Sequence, residues 1–451
     1  MSERETFGSK MGAILAAAGS AVGLGNVWRF PIETGQNGGA AYIIIYIGCI
    51  ILMGFPVMIS EFIVGKYSHS NTAGAFQKLA PGTQWKWVGR IGVFTGFLII
   101  CYYAIVAGWT MEYTFLSIAN QFDGKSVNDY APMFNELSAN PWKSVLWTTL
   151  AFLVTFYVIA RGVQKGIEKY SKILMPTLFI ITVILVVCSV NLPGAGAGID
   201  FLVRPDFSKI NGKVVLSALG QAFYSLSLGM GCLITYASYF NDSTNIRKTA
   251  LNVCFIDTFI AVMAGFIIFP AVFDAGYSLQ PEDIGPSLIF ITLPNVFQQS
   301  FASAPFLGYL FAVLFYLLLF VAAVTSMLSL HEVVTAYLHD EFNINRKKAA
   351  TLVTVVCIIL GAVCSLSFGV LKDFHIFGLT LFDLFDTTSS NILLPISGLL
   401  TSIFVGWYLD KRIEHESWNM KPLSKRIIRF TIRYLVPLFI IAIFLNQFDL
   451  L

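Results

Sequence analysis

Long apolar runs without a single charge constrain this chain more than any other feature. Ala40 to Met58, Val145 to Ala160, Leu307 to Val324 and Leu352 to Val363 hold no Asp, Glu, Lys or Arg. A helix crosses a bilayer with roughly 20 mostly apolar residues, and surfaces of this kind are not left facing water. Composition agrees over the 451 residues: 56% are hydrophobic and 12% charged, against roughly 25% charged in an ordinary soluble domain. We therefore read an all-α polytopic membrane protein with helices near 12–35, 40–69, 88–121, 144–161, 167–190, 215–240, 247–274, 305–339, 347–370, 377–410 and 425–447.

The basic residues orient it. Lys66, Lys78, Lys86 and Arg90, then Arg161, Lys165, Lys169 and Lys172, then Arg346, Lys347 and Lys348 occupy every second loop, and Lys411 to Arg433 is richer still. The alternate loops carry only Lys125, Lys143, Arg204, Lys209, Lys213 and Lys372. Cytoplasmic loops collect Lys and Arg, so the reading is a multi-pass protein of the cell membrane with a cytoplasmic N-terminus. An odd number of helices then puts the C-terminus outside. Met1 to Lys10 runs straight into an apolar segment with no boundary resembling a signal-peptidase site, so no cleaved leader is expected. The loops at 122–143 and 191–214 read as polar outer connections, 275–304 is long enough to fold over the outer mouth, and 411–426 reads as a basic inner loop.

Two helices break the helix rules at corresponding places. Gly19, Gly23 and Gly25 crowd the first, and Gly229 and Gly231 the sixth. Small residues alone fit close helix packing. The pairing says more, because one broken helix opens residues 1–190 and the other opens 215–410, each followed by four further spans, with 425–447 added at the end. Matched breaks in two halves point to an inverted-repeat transporter with its site at the midplane. Unwinding there frees N–H groups that suit a carboxylate and C=O groups that suit a cation, and lipid tolerates such backbone only around a cavity.

Charges inside spans are functional candidates by default. Arg29 ends the first break, and Asp386 near the outer end of the tenth span is the partner we assign; snorkelling to the interface is the bland alternative for Arg29. Glu61 reads as a brace for the broken first helix rather than a proton carrier. Asp257 lies mid-membrane, and with Asn26, Ser225, Thr325 and Ser326 it offers the oxygens a hard cation prefers. Thr325 and Ser326 alone are weak, since such hydroxyls commonly bond back to their own helix.

Enzyme readings fail. His331-Glu332-Val333-Val334-Thr335 starts like a zinc-protease motif but lacks the second His. Gly23-Leu24-Gly25 follows no strand, and Ser60 and Ser171 have no neighbouring His. All seven Cys lie in or beside apolar spans, so no loop disulfide or metal cluster is expected. A net charge of +3 without a basic stripe gives no nucleic-acid face.

The run Gly19 to Pro31 with Asn37-Gly38-Gly39-Ala40, the segment Gln221 to Gly229, and Ala322 to Ser326 resemble the first, sixth and eighth helices of the neurotransmitter:sodium symporters. The likeness covers about residues 4 to 447 and is closest to short bacterial eleven-helix members that carry several hydrophobic amino acids. It implies a five-plus-five repeat and import of hydrophobic L-amino acids with two sodium ions. The first sodium site would use Ala21, Asn26, Ser225 and Asp257, and the second Gly19, Val22, Ala322, Thr325 and Ser326. The substrate carboxylate would rest on Leu24, Gly25 and Tyr103. Its side chain would lie among Ile99, Tyr103, Phe223, Tyr224, Ser227, Met230 and Leu330. Arg29 with Asp386 would close the outer gate, and Arg4 with Asp340 the inner one.

Two departures sharpen the expectation. Chloride-dependent members have Asn where Asp257 stands, so no chloride is expected. Gly23 stands where monoamine carriers place an acid, so the substrate must bring its own carboxylate. Met230 makes a deformable wall, which admits aromatic side chains, tryptophan included. The spacing Gly166 to Pro176 resembles a family motif at which the fifth helix unwinds; Pro176 lacks an N–H, and Gly166 adds freedom, although Gly166 would also suit a plain helix start. A non-transporting amino acid sensor or a sodium channel is the rival on this scaffold. Gates on both faces argue for alternating access.

Overall fold

In the computed structural model, residues 5–277, 285–409 and 422–448 are described. Among them, nine continuous helices are long and apolar enough to cross a membrane. A tenth crossing is bent by 52°, where Lys10–Ala21 meets Gly25–Gln36, and this pair is span 1. Spans 2 to 5 are Ala40–Ser68, Lys86–Ile118, Pro141–Ile159 and Val163–Val190. Span 6 is again two pieces, Gly212–Ser225 and Cys232–Ala237, each too short to cross alone. Spans 7 to 11 are Ile246–Asp274, Pro305–Phe342, Arg346–Phe368, Leu381–Tyr408 and Ser424–Gln447. The expected eleven crossings are recovered when the two halves of span 6 are taken together.

Both breaks have local causes. Ser227, Gly229 and Gly231 have φ of 54°, 78° and 78°, a region that ends a right-handed helix and that glycine enters without strain. Span 2 holds this turn: Glu61 Oε1 accepts the Gly229 N–H at 2.7 Å. Glu61 was expected to brace the first break, and it braces the sixth. In the first break Val22 leaves the helical region, and Gly23 sits so close to span 8 that a Cβ would lie 2.3 Å from Ser326 Oγ. Glycine is therefore favoured there by the close contact with span 8.

The connections are more ordered than their composition implied. The expected polar loops at 122–143 and 191–214 contain the helices Val127–Ala139 and Ala195–Val203, and Leu288–Ser300 is helical too. Local capping explains the first: Ser126 N–H and Oγ both donate to Asp129 Oδ2 at 2.7 Å. Those bonds hold the Asp129 carboxyl below its ordinary range. The segment from Gly285 closes part of the far mouth, where Phe290 packs on Trp28, Trp109, Tyr113 and Phe134. Tyr113 and Tyr316 secure it by donating to the carbonyls of Phe290 and Ile289, both at 2.8 Å.

Candidate functional site

The two breaks meet in the middle of the bundle. Asn26 Nδ2 donates to Asp257 Oδ1 at 2.7 Å, to the Asp257 carbonyl at 3.0 Å and to Ser225 Oγ at 3.1 Å. Ser225 Oγ lies 3.0 and 3.1 Å from the two Asp257 oxygens, and Tyr46 donates to Oδ2 at 3.3 Å. Asp257 and Asn26 are both fully buried. Asp257, Asn26, Ser225 and Tyr46, from spans 7, 1, 6 and 2, gather the oxygen atoms that a hard cation prefers. A cation there requires the Asn26 amide to turn, because Oδ1 now accepts the Gly23 N–H at 2.9 Å.

A second oxygen cluster lies between spans 1 and 8. Thr325 Oγ1 and Ser326 Oγ both reach the Val22 carbonyl at 3.4 Å. Thr325 also bonds back to Ala322 and Val321 at 2.9 and 3.2 Å, so the bland local reading and the site geometry hold together. Gly19 faces Thr325 and, from span 5, Met175. Met175 immediately precedes Pro176, which puts span 5 against this cluster.

A chamber of about 30 Å³ separates the two clusters, lined by Ala21, Gly25, Ile99, Tyr103, Tyr224, Ser227, Met230 and Leu330 among others. Leu24 N–H donates to Tyr103 Oη at 3.1 Å, so these two candidates for holding a carboxylate are adjacent. Phe223 is the exception among the expected wall residues. It lies behind the chamber against span 10, where a Cβ on Gly398 would meet its ring at 2.4 Å. Ser20 and Ser329 line the chamber and were not singled out from the sequence.

Gly25, Tyr103 and Tyr224 also border a larger cavity of about 430 Å³ that holds Arg29, Asp386, Gly285 and Pro286. Arg29 and Asp386 share this vestibule without touching. Arg29 lies over the Tyr224 ring at 5.0 Å and 3.7 Å from Glu33, whereas Asp386 accepts from Ser390 at 2.9 Å. The expected outer-gate pair is apart in this conformation. Of the inner pair, Arg4 lies outside the described residues, and Asp340 Oδ2 accepts the Asn71 amides at 3.2 and 3.3 Å.

The face bearing the basic loops is closed by a network the sequence reading passed over. Arg346 grips Glu332 at 2.6 and 3.0 Å, and Tyr239 donates to the same carboxylate at 2.6 Å. Phe7 fits among Tyr236, Tyr239 and Phe240. Glu168 on span 5 accepts Gly8 N–H, Ser9 Oγ and Lys172 Nζ at 2.6 to 2.8 Å. Glu332 was legible, since an acid inside an apolar helix needs a partner, but that partner lies on the next span, where no local spacing marks it.

The model of the "Sodium:neurotransmitter symporter family" matches residues 4–133 and 134–449. The chain belongs to this family of sodium-dependent transporters. An uncharacterised sodium-dependent transporter of Bacillus subtilis (strain 168), YhdH, is 38% identical over the full length of both chains. The sodium-dependent nutrient amino acid transporter 1 of Drosophila persimilis is 28% identical, covering 79% of this chain and 62% of that one. The crystal structure of MhsT in complex with L-phenylalanine superposes with a TM-score of 0.89 at 40% identity, covering 98% of this chain and 100% of that chain. As a symporter-family member the protein is a multi-pass membrane transporter rather than an enzyme, it uses sodium, and its fold is the helical bundle of paired repeats with broken spans 1 and 6.

Proposed function

We propose that the protein is a chloride-independent symporter that uses two sodium ions to import hydrophobic L-amino acids, aromatic and aliphatic, by alternating access. The observation that carries this reading is the convergence of Asn26, Ser225 and Asp257 from both breaks beside an apolar chamber. We assign the first sodium to Ala21, Asn26, Ser225, Asp257 and the substrate carboxylate, and the second to Gly19, Val22, Ala322, Thr325 and Ser326. Asp257 supplies the negative charge that an anion would otherwise bring. Leu24, Gly25 and Tyr103 hold the substrate carboxylate, and Gly23 leaves room for it.

That MhsT was crystallised with L-phenylalanine supports an aromatic substrate. Met230 and Tyr224 line the chamber and are the wall residues that would shift as the side chain enters. Met230 is suited to this by its flexible thioether. Residues 1–190 and 215–410 act as the two repeats, with 425–447 as an added helix, in the cell membrane with the N-terminus in the cytoplasm and the C-terminus outside.

Each inward charge is worth about 2.3 kcal/mol per 100 mV, and each tenfold gradient about 1.4 kcal/mol. Two ions thus exceed the roughly 3.5 kcal/mol needed for several-hundred-fold accumulation. Coupling requires sodium to prefer the state in which both breaks are organised, because a ligand shifts an equilibrium only by its differential affinity. Arg29 and Asp386 then close over the bound substrate. On the inner side Arg4 releases Asp340 and span 5 unwinds between Gly166 and Pro176, which opens a path to the second sodium beside Met175.

The test is uptake of labelled tryptophan and leucine into proteoliposomes, under an inward sodium gradient or in potassium, each with and without chloride. Accumulation that needs sodium and ignores chloride is the expected result. Sodium-dependent binding without accumulation makes the protein a sensor, and failure of tryptophan to compete with leucine removes the aromatic specificity. Transport unchanged in Pro176→Ala removes the role given to span 5.

A further inference from the structure

Two features of span 4 and span 5 belong to neither the transport chamber nor the gates. The first is a groove of about 530 Å³ on the membrane-facing side, where spans 3, 4, 5 and 8 diverge. Its wall includes Leu153, Val154, Leu174 and Phe320, and it carries almost no polar surface. Tyr157 and Tyr170 also line it. The second is Arg161, exposed at the basic-loop end. Its guanidinium donates to Tyr170 Oη at 3.2 Å and to Tyr157 Oη at 2.5 Å, and lies over the Tyr157 ring at 3.8 Å. Two tyrosines therefore fix a cation at the mouth of an apolar slot. A guanidinium has five N–H donors in a planar fork that matches phosphate, and these tyrosines engage only part of it.

We propose that this groove binds an anionic phospholipid of the leaflet next to the basic loops, its acyl chain in the slot and its phosphate on Arg161. Charge complementarity selects this occupant. Lys165 and Lys169 stand exposed on the same stretch, and each basic residue near an anionic surface is worth about fivefold in binding. Phosphatidylcholine fills the slot equally well and offers the same phosphate, but its quaternary ammonium is repelled by the surrounding cations, so it gains less at the mouth.

The position has a consequence for transport. Tyr170 and Leu174 are wall residues that lie inside the Gly166 to Pro176 segment. Unwinding that segment dismantles the wall and separates Tyr170 from Arg161. A lipid that binds only the intact wall favours the wound helix, and by reciprocity unwinding releases the lipid. This last step rests on the role proposed for span 5, whereas binding itself does not.

The test uses the full chain and needs neither sodium nor amino acid. Native mass spectrometry of delipidated protein titrated with phosphatidylglycerol or phosphatidylcholine reads the preference for the anionic headgroup. The expected result is preferential retention of phosphatidylglycerol, reduced about fivefold by Arg161→Gln. Val154→Trp, which fills the slot and keeps the charge, is expected to lose both lipids. Equal retention of the two lipids overturns the proposal, as does an equal loss in Lys248→Gln, an exposed basic residue remote from the groove. Hydrogen exchange in nanodiscs then reads the coupling: phosphatidylglycerol is expected to slow exchange over 169–174 by about fivefold or more. Preferential binding with unchanged exchange overturns the coupling to span 5 and leaves the symporter reading untouched.

Discussion

Two arginine–glutamate pairs on opposite faces of this transporter have the same chemistry and opposite environments. On the basic-loop face Arg346 and Glu332 are 13% and 0% exposed and make a two-point contact as close as 2.6 Å. On the far face Arg29 and Glu33 are 45% and 22% exposed and approach only to 3.7 Å. The first pair is a lock, since a buried charge left alone is expensive. The second is a loose contact in a wide vestibule, free to be exchanged for Asp386. We call the tightly paired, buried face the closed side and the solvated one the open side.

The largest expected effect breaks the closed side. Arg346→Met strands Glu332 and is expected to cost about 3–5 kcal/mol, read as a fall in the midpoint of thermal unfolding in detergent; a midpoint within error of the parent would show that Glu332 does not depend on Arg346. Next, Glu168→Gln weakens the hold on Gly8, Ser9 and Lys172. A loss of about 1–3 kcal/mol should raise thiol labelling of Cys232, buried below the chamber, and unchanged labelling would count against a latch there.

On the open side Arg29→Gln sharpens the contrast. Its unfolding midpoint should barely move, because exposed pairs contribute about 0–1 kcal/mol, while sodium-dependent leucine binding weakens. A stability loss matching that of Arg346→Met would erase the distinction between the two faces. The smallest effect concerns the cap on Val127–Ala139. The folded Asp129 carboxyl titrates below the unfolded value, so its contribution is complete above the unfolded pKa and disappears as pH falls through the lower, folded one. Protection from hydrogen exchange at Ser126 and Asp129, taken relative to the free-chain rate at each pH, should therefore fall in acid, and Asp129→Asn should remove that pH dependence.

Much of the candidate site could be read without coordinates. Asn26, Ser225, Asp257, Thr325 and Ser326 stood out as polar atoms in apolar helices, and the matched glycines located the breaks. Other features escaped for physical reasons. Phe223 is spaced like Ser227 and Met230 on a continuous helix, but the turn that begins at Ser227 breaks that register, and Phe223 packs against Gly398 instead. Glu61 was correctly taken as a brace and assigned to the wrong break, because nothing local distinguishes a partner on span 1 from one on span 6. The helices inside the outer connections were hidden by a polar composition that short amphipathic helices share with loops.

What the chain determined by itself is what depends on local chemistry: charge-free runs long enough to cross lipid, glycines that permit a break, and Lys and Arg gathered in alternate loops. Lipid removes water as a partner, so each polar residue in those runs had to be satisfied inside the protein, and this made the candidates legible. Tertiary structure decided which of them meet. Only the packing of spans 1, 6 and 7 brings Asp257 to Asn26, and only the state of the whole bundle holds Arg29 from Asp386 while Arg346 clasps Glu332. Side-chain identity along one helix is silent on its neighbours, and the relative positions of the helices select which contacts form.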